Sequence, residues 1–249
     1  NPTKKLKETP DLLLEDRESL FIATLKSLRI HQWLKNILIF TPILLAHRID
    51  DIYALTNGLL AFISFSFSAS AIYIFNDLLD LEADQNHPRK YKRPFASGNM
   101  QLIHGVNLIP ILLIISFSIG YFLPKIFIYT LCAYLIITTL YSMRIKRVIG
   151  LDVITITILY SLRVLAGSTA TGDSISIWFI GFSLFLFLSL AISKRYTELQ
   201  GLQTNQQEKI TRRERGYRLA DQKSLFNIGC ITAFSTILIL GGYIFSPSA

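Results

Sequence analysis

Hydrophobic residues along this chain gather into seven blocks, residues 34–46, 55–75, 102–122, 126–141, 148–170, 175–192 and 225–245, with polar stretches between them. A helix needs about 20 apolar residues to cross the hydrocarbon of a bilayer. Most of the blocks approach that length; the first reaches it only if its helix begins earlier, near Ser27. An open sheet edge cannot face lipid, so the spans are expected to be helices. The pattern predicts an all-α, polytopic membrane helical bundle of about seven spans over residues 25–249. A polar segment, residues 1–24, precedes it.

The polar stretches are not equivalent. Lys4, Lys5, Lys7, Arg17, Lys26, Arg29 and Lys35 lie before or at the start of the first span. Arg89, Lys90, Lys92 and Arg93 lie between the second and third, and Arg144, Lys146 and Arg147 between the fourth and fifth. Lys194, Arg195, Lys209, Arg212, Arg213, Arg215, Arg218 and Lys223 lie between the sixth and seventh. The alternate loops hold only Arg48 and Lys125. This bias places the N-terminus and the basic loops in the cytoplasm, and an odd span count puts the C-terminus outside.

Composition agrees with a membrane protein: 249 residues, 51% hydrophobic, 17% charged, mean hydropathy +0.43. Few soluble domains read this way. The net charge of +8 does not indicate nucleic acid, because the bases sit between apolar spans and not on one soluble face. Phosphate-bearing or anionic-lipid partners explain it better. Cys132 and Cys230 fall inside apolar blocks without metal-ligand or disulfide spacing, and read as small core residues. The start shows no signal-peptide pattern. Opening on Asn1, the chain reads as a processed product or a piece of a longer one.

The stretch "NDLLDLEADQNHPRKYKRPFASG", residues 76–98, carries the chemistry. It follows an uncharged run, residues 57–75. If the second helix continues past Phe75, the spacings of four (Asn76 to Asp80), three (Asp77 to Asp80) and four (Asp80 to Asp84) put these side chains on one face. Like charges at such spacing repel unless a cation sits among them. Hard oxygen ligands suit Mg²⁺, which binds one or two carboxylates together with substrate phosphates. The bases that follow suit the rest of a phosphate group. Asp77, Asp80 and Asp84 are therefore the expected metal-binding and catalytic residues, with Asn76, Lys90 and Arg93 toward the substrate. An ordinary solvated loop is the bland alternative for the acids alone.

The full pattern is more specific. Asn76, Asp77, Asp80, Asp84, His87, Lys90, Arg93, Pro94, Ser97 and Gly98 resemble the first aspartate-rich motif of the UbiA superfamily of intramembrane prenyltransferases. Tyr141-Ser142 and Lys146 resemble its short motif after the fourth helix. The resemblance runs from about residue 28 to 245. It implies a helical bundle, typically of nine helices and so two more than are found here, around a cavity that holds a Mg²⁺-bound diphosphate.

The superfamily's second aspartate motif is absent; its place reads "AISKRYTELQG", with Lys194, Arg195, Tyr196 and Glu198. With Arg29, Gln32, Trp33, Lys35 and Asn36 of "RIHQWLKN", and Arg163 and Gly167 of "SLRVLAGSTATG", this is similar to the decaprenyl-phosphate phosphoribosyltransferase branch. That resemblance implies phosphoribosyl diphosphate as donor and a polyprenyl phosphate as acceptor, in the inner membrane of a bacterium or archaeon, with the site facing the cytoplasm. Extra cations suit the added phosphates better than more carboxylates would.

Several of these residues have ordinary readings too. Trp33 and Lys35 are common interfacial anchors, and Lys194 and Arg195 are common positive-inside bases. Arg163 is harder to dismiss, because a charge inside a span costs about 2.5–3.5 kcal/mol on insertion scales. It shares a helix face with Asp152, about 16 Å away along the axis. His87 reads equally as a phosphate donor or a loop cap. Two rivals are kept. One is a prenyltransferase alkylating an aromatic or other small acceptor. The other is a lipid-phosphate transporter, which would place its charges near the bilayer midplane and not at one mouth.

Overall fold

The computed structural model describes residues 19–204 and 216–245. Among the described residues, six helices are long and apolar enough to cross a membrane: α3 (Ile52–Leu79), α5 (Leu102–Gly120), α6 (Lys125–Met143), α7 (Leu151–Thr171), α8 (Ile177–Thr204) and α9 (Gln222–Ile244). Short helices α1 (Leu20–Leu28), α2 (Thr41–Leu45) and α4 (Leu81–Gln85) complete the described set. The protein is an integral membrane helical bundle.

The expected first span is not one helix, which is where the count of seven differs. After α1 the backbone turns through Arg29, at φ 51° and ψ 48°, and continues as an eleven-residue 3₁₀ segment, Ile30–Phe40, before α2. Runs of 3₁₀ helix longer than about four residues are uncommon, so a tertiary cause is needed. Trp33 Nε1 donates to Ser70 Oγ at 2.9 Å, and Asn36 Nδ2 donates to Ser66 Oγ at 3.0 Å. Donors three residues apart thus meet acceptors four apart on α3. Three residues of 3₁₀ rise about 6 Å and four residues of α-helix also rise about 6 Å. The tighter helix keeps the two ladders in register. Its Gln32 and Lys35, also three apart, stack on another face.

Helices α3 and α7 form the centre. Ile39, Phe65, Phe127, Leu131 and Ala166 are fully buried between them, α6 and the 3₁₀ segment. A Cβ at Gly167 of α7 would overlap the Ile39 carbonyl, so only glycine permits this approach. Ser64 and Ser68 of α3 meet Ser116 Oγ of α5 at 3.2 and 2.8 Å, the kind of small polar contact that joins helices without a hydrophobic driving force. Outward, α5 and α9 present large apolar residues such as Ile114, Phe234 and Ile237, as a lipid environment requires.

At the far end of the bundle from the acidic stretch, Arg48 ties two turns together. It reaches Asp51 and Asp173, each at 2.5 Å. The Asp51 carboxylate also caps α3 through the Tyr53 and Ala54 amides, and the Arg48 guanidinium holds that carboxyl below the usual range.

Candidate active site

A cavity of about 500 Å³ opens where the acidic stretch leaves α3. Its wall is assembled from sequence-distant pieces: Arg29, Gln32 and Lys35; Tyr73, Asn76 and Asp80; Asp84, Lys90 and Arg93; Tyr134, Thr138, Tyr141, Ser142, Lys146 and Arg147; Tyr160 and Arg163; and Lys194. Eight of these are cations (Arg29, Lys35, Lys90, Arg93, Lys146, Arg147, Arg163, Lys194) and two are carboxylates (Asp80, Asp84).

Local sequence explains the mouth. Helix α3 runs through Leu79 and breaks at Asp80, and α4 restarts at Leu81. Asn76 and Asp77 therefore lie on the last turn of α3, Asp80 at the break and Asp84 on α4, not all on one continuous helix as the spacing predicts. The loop beyond is pinned by Phe95 and Met100, which bury against Ala71, Ile74 and Leu112. Gly105 leaves room for the Phe95 ring. That anchor delivers Arg93, two residues earlier, between two acids: Nη1 lies 2.5 Å from Asp84 Oδ2 and 3.1 Å from Asp77 Oδ1. Arg29 also reaches Asp77 Oδ1, at 2.5 Å. His87 caps the loop, its Nδ1 accepting from the Arg89 and Lys90 amides.

The three acids do not converge. Asp77 is 2% exposed and points into the protein instead of forming cavity wall. Asp80 pairs with Lys146 at 2.5 Å, and the same Nζ donates to Asn76 Oδ1 at 3.3 Å. Burial pushes the Asp84 carboxyl above the usual carboxylate range, against the pull of Arg93. Among the described residues no three His, Cys, Asp or Glu side chains come together as a ready-made metal cage. The donor set nevertheless suits Mg²⁺: the hard oxygens of Asn76, Asp80 and Asp84 line the cavity, and Asp77 Oδ2 is buried without a hydrogen-bond partner beside them. A site of few carboxylates plus substrate phosphate is how this ion is commonly held.

Arg163 sits deeper. Its guanidinium donates to Asn36 Oδ1 (2.9 Å), the Leu159 carbonyl (2.5 Å) and Tyr134 Oη (3.4 Å), and lies over the rings of Tyr134 and Tyr160. Asp152 is not its partner. Arg195, expected at the substrate, lies behind the wall: 2% exposed, it donates Nε to Asp152 Oδ2 at 2.6 Å and Nη1 to Glu198 at 2.6 Å, and touches Tyr141 Oη at 3.5 Å. Tyr217 Oη completes this knot on Asp152 Oδ1 at 2.7 Å. An acid inside an apolar block was the one signal that a cation comes to Asp152, and it did not say which. Sequence reading also passed over Tyr73, Thr138 and Tyr160, whose types are unremarkable on membrane helices, and gave Arg147 only as a base of the loop between two spans.

A profile of the UbiA prenyltransferase family matches residues 37–246. The chain belongs to this family. The chain is 37% identical over 216 residues to an uncharacterized protein, y4nM, of Sinorhizobium fredii, covering 87% of this chain and 42% of that one. The nodulation protein NoeC of Azorhizobium caulinodans is 33% identical, over 86% of this chain and 68% of its own. Decaprenyl-phosphate phosphoribosyltransferase of Mycobacterium tuberculosis is 30% identical, over 76% and 64% respectively. The chain thus spans from under half to about two thirds of the length of these relatives. Among solved structures, the fold matches a UbiA homolog from Archaeoglobus fulgidus bound to GPP and Mg²⁺ (TM-score 0.71, 20% identity, 87% of this chain and 77% of that one). The same homolog bound to DMAPP and Mg²⁺ gives 0.69, at 20% identity and over 85% and 75%.

Proposed function

We propose that this UbiA-family protein transfers the 5-phosphoribosyl group of phosphoribosyl diphosphate to a polyprenyl (decaprenyl-type) phosphate, releasing diphosphate, in a Mg²⁺-dependent reaction at the cytoplasmic face of the membrane. The observation that carries this reading is the cavity's charge balance, eight cations to two carboxylates. One of those cations, Lys194, stands where prenyl-transferring relatives are expected to carry a second set of acids. A donor with a diphosphate and a further phosphate, meeting an acceptor with its own phosphate, is the anionic load that such a wall matches. The likeness to mycobacterial decaprenyl-phosphate phosphoribosyltransferase supports the same substrates.

In this reading Asn76, Asp80 and Asp84 would hold Mg²⁺, which would offset negative charge on the departing diphosphate. Lys146 and Arg93 orient the diphosphate from two sides, and Arg29 holds the buried Asp77 in place. The C1–O bond to diphosphate breaks through an oxocarbenium-like transition state, and an oxygen of the lipid phosphate forms the new bond to C1, with inversion. No general base is needed, since a phosphate oxyanion is already a nucleophile. The residues act by positioning and by charge stabilisation, which together supply most of the barrier reduction in such transfers.

The deciding experiment incubates purified protein with Mg²⁺, phosphoribosyl diphosphate and a polyprenyl phosphate, and follows diphosphate release and the lipid product. The homologue structures holding GPP and DMAPP favour one second reading, alkylation of a small acceptor by an allylic diphosphate. Turnover with an allylic diphosphate and none with phosphoribosyl diphosphate would replace the first reading by that one.

A further inference from the structure

The cations of the cavity wall fall into two groups. At the mouth, cations alternate with acids: Lys146 with Asp80, Arg93 with Asp84 and Asp77, Arg29 with Asp77. Elsewhere Lys35 of the 3₁₀ segment, Lys194 of α8 and Arg163 of α7 line the same wall. Lys35 is faced by the charges of Lys194, Arg163 and Arg29. Among the described residues no carboxylate pairs with Lys35, Lys194 or Arg163. Arg163 is held only by neutral acceptors and two tyrosine rings, so its orientation is set while its charge stays uncompensated. Thr138 adds an independent sign. It is 9% exposed, lines the cavity, and its Oγ1 is buried without a hydrogen-bond partner. Like charges that share a wall repel, more so where burial limits water, as at Lys35 and Arg163, and a buried hydroxyl without a partner is costly. One ligand relieves both.

We infer that Lys35, Lys194, Arg163 and Thr138 form a second, metal-free anion subsite that binds a phosphate monoester dianion. It rests on the reading that the cavity takes phosphorylated substrates, and assigns the monoester to a place apart from the diphosphate. A wall without carboxylates does not recruit Mg²⁺, so the group bound here arrives without the ion. Three cations and a hydroxyl donor match its three terminal oxygens. Two molecules present that chemistry: the sugar-phosphate end of the donor and the head of the lipid acceptor.

The test is binding in EDTA by the purified, intact protein, titrated calorimetrically with ribose 5-phosphate and, separately, with geranyl phosphate. At least one binds the wild type without metal. Lys194→Gln, at an exposed position, and Lys35→Gln each weaken that ligand tenfold or more, Thr138→Val weakens it severalfold, and Asp80→Asn changes it less than twofold. The ligand that responds identifies the source. Binding of neither monoester to the wild type, wild-type affinity in Lys194→Gln, or an equal loss in Asp80→Asn overturns the subsite. Lys194-dependent binding in a protein that never turns over phosphoribosyl diphosphate removes the proposed reaction and leaves the subsite standing.

Discussion

Lys146 Nζ lies 2.5 Å from Asp80 Oδ2, across 66 residues of sequence. The contact joins the aspartate-rich stretch at the end of α3 to the basic turn after α6, and it puts a cation beside the carboxylate proposed to bind the metal. Asp80→Asn should lower kcat about 100-fold or more, the scale of removing one preorganised electrostatic group, and should raise the Mg²⁺ concentration needed for half-maximal rate. Lys146→Ala should lower turnover on a similar scale without that shift in metal requirement. Near-normal turnover in Asp80→Asn would remove this residue from the chemistry.

Arg93 bridges Asp77 and Asp84, both 2% exposed. Removing a cation from buried acids leaves uncompensated charge, a loss of about 3 kcal/mol or more. Arg93→Ala should therefore unfold at a clearly lower temperature in detergent, in addition to losing activity. A Tm unchanged from the parent would show that the bridge is not a structural element.

Gly167 and Gly201 form a matched pair. A Cβ at Gly167 collides with the Ile39 backbone, while one at Gly201 meets nothing within 4 Å. Gly167→Ala should destabilise by about 1–3 kcal/mol through overpacking, and Gly201→Ala should be neutral or slightly stabilising. Thermal unfolding of the two variants side by side measures this. Equal stability would mean that α7 and the 3₁₀ segment sit further apart than described.

The proposed reaction requires the cavity mouth to face the cytoplasm, where a charged donor that cannot cross a bilayer is made available. In a variant carrying Cys132→Ala and Cys230→Ala, a cysteine at the exposed Gln85 should resist impermeant thiol reagents in intact cells and label once the membrane is opened. A cysteine at the exposed Ser174, in the turn between α7 and α8, should label in intact cells. Labelling of position 85 from outside would reverse the topology and exclude a cytoplasmic donor.

Much of this architecture was legible from one dimension. Six of seven expected spans are single helices because about 20 consecutive apolar residues between charged turns have one stable solution in a bilayer. Asn76, Asp80, Lys90, Arg93 and Lys146 could be placed at one mouth, since short loops and helical spacing carry local position well. Partners distant in sequence were not legible. Nothing in "GLDVIT" indicates that Asp152 meets Arg195 and Tyr217, and Arg195 reads like its neighbour Lys194 although one is walled in and the other faces the cavity. Asp77, between cavity residues Asn76 and Asp80, turns inward because Arg29 and Arg93 arrive from two other segments to meet it.

The 3₁₀ segment marks the boundary most clearly. Residues 30–40 read as part of an ordinary membrane helix, and their apolar run alone determined that they are helical. Their winding was decided by α3. Trp33 and Asn36 must reach Ser70 and Ser66, and only a rise of about 2.0 Å per residue brings donors three apart level with acceptors four apart. That register is a property of two packed helices, which neither stretch of sequence carries by itself. The same winding stacks Gln32 and Lys35 along the cavity wall.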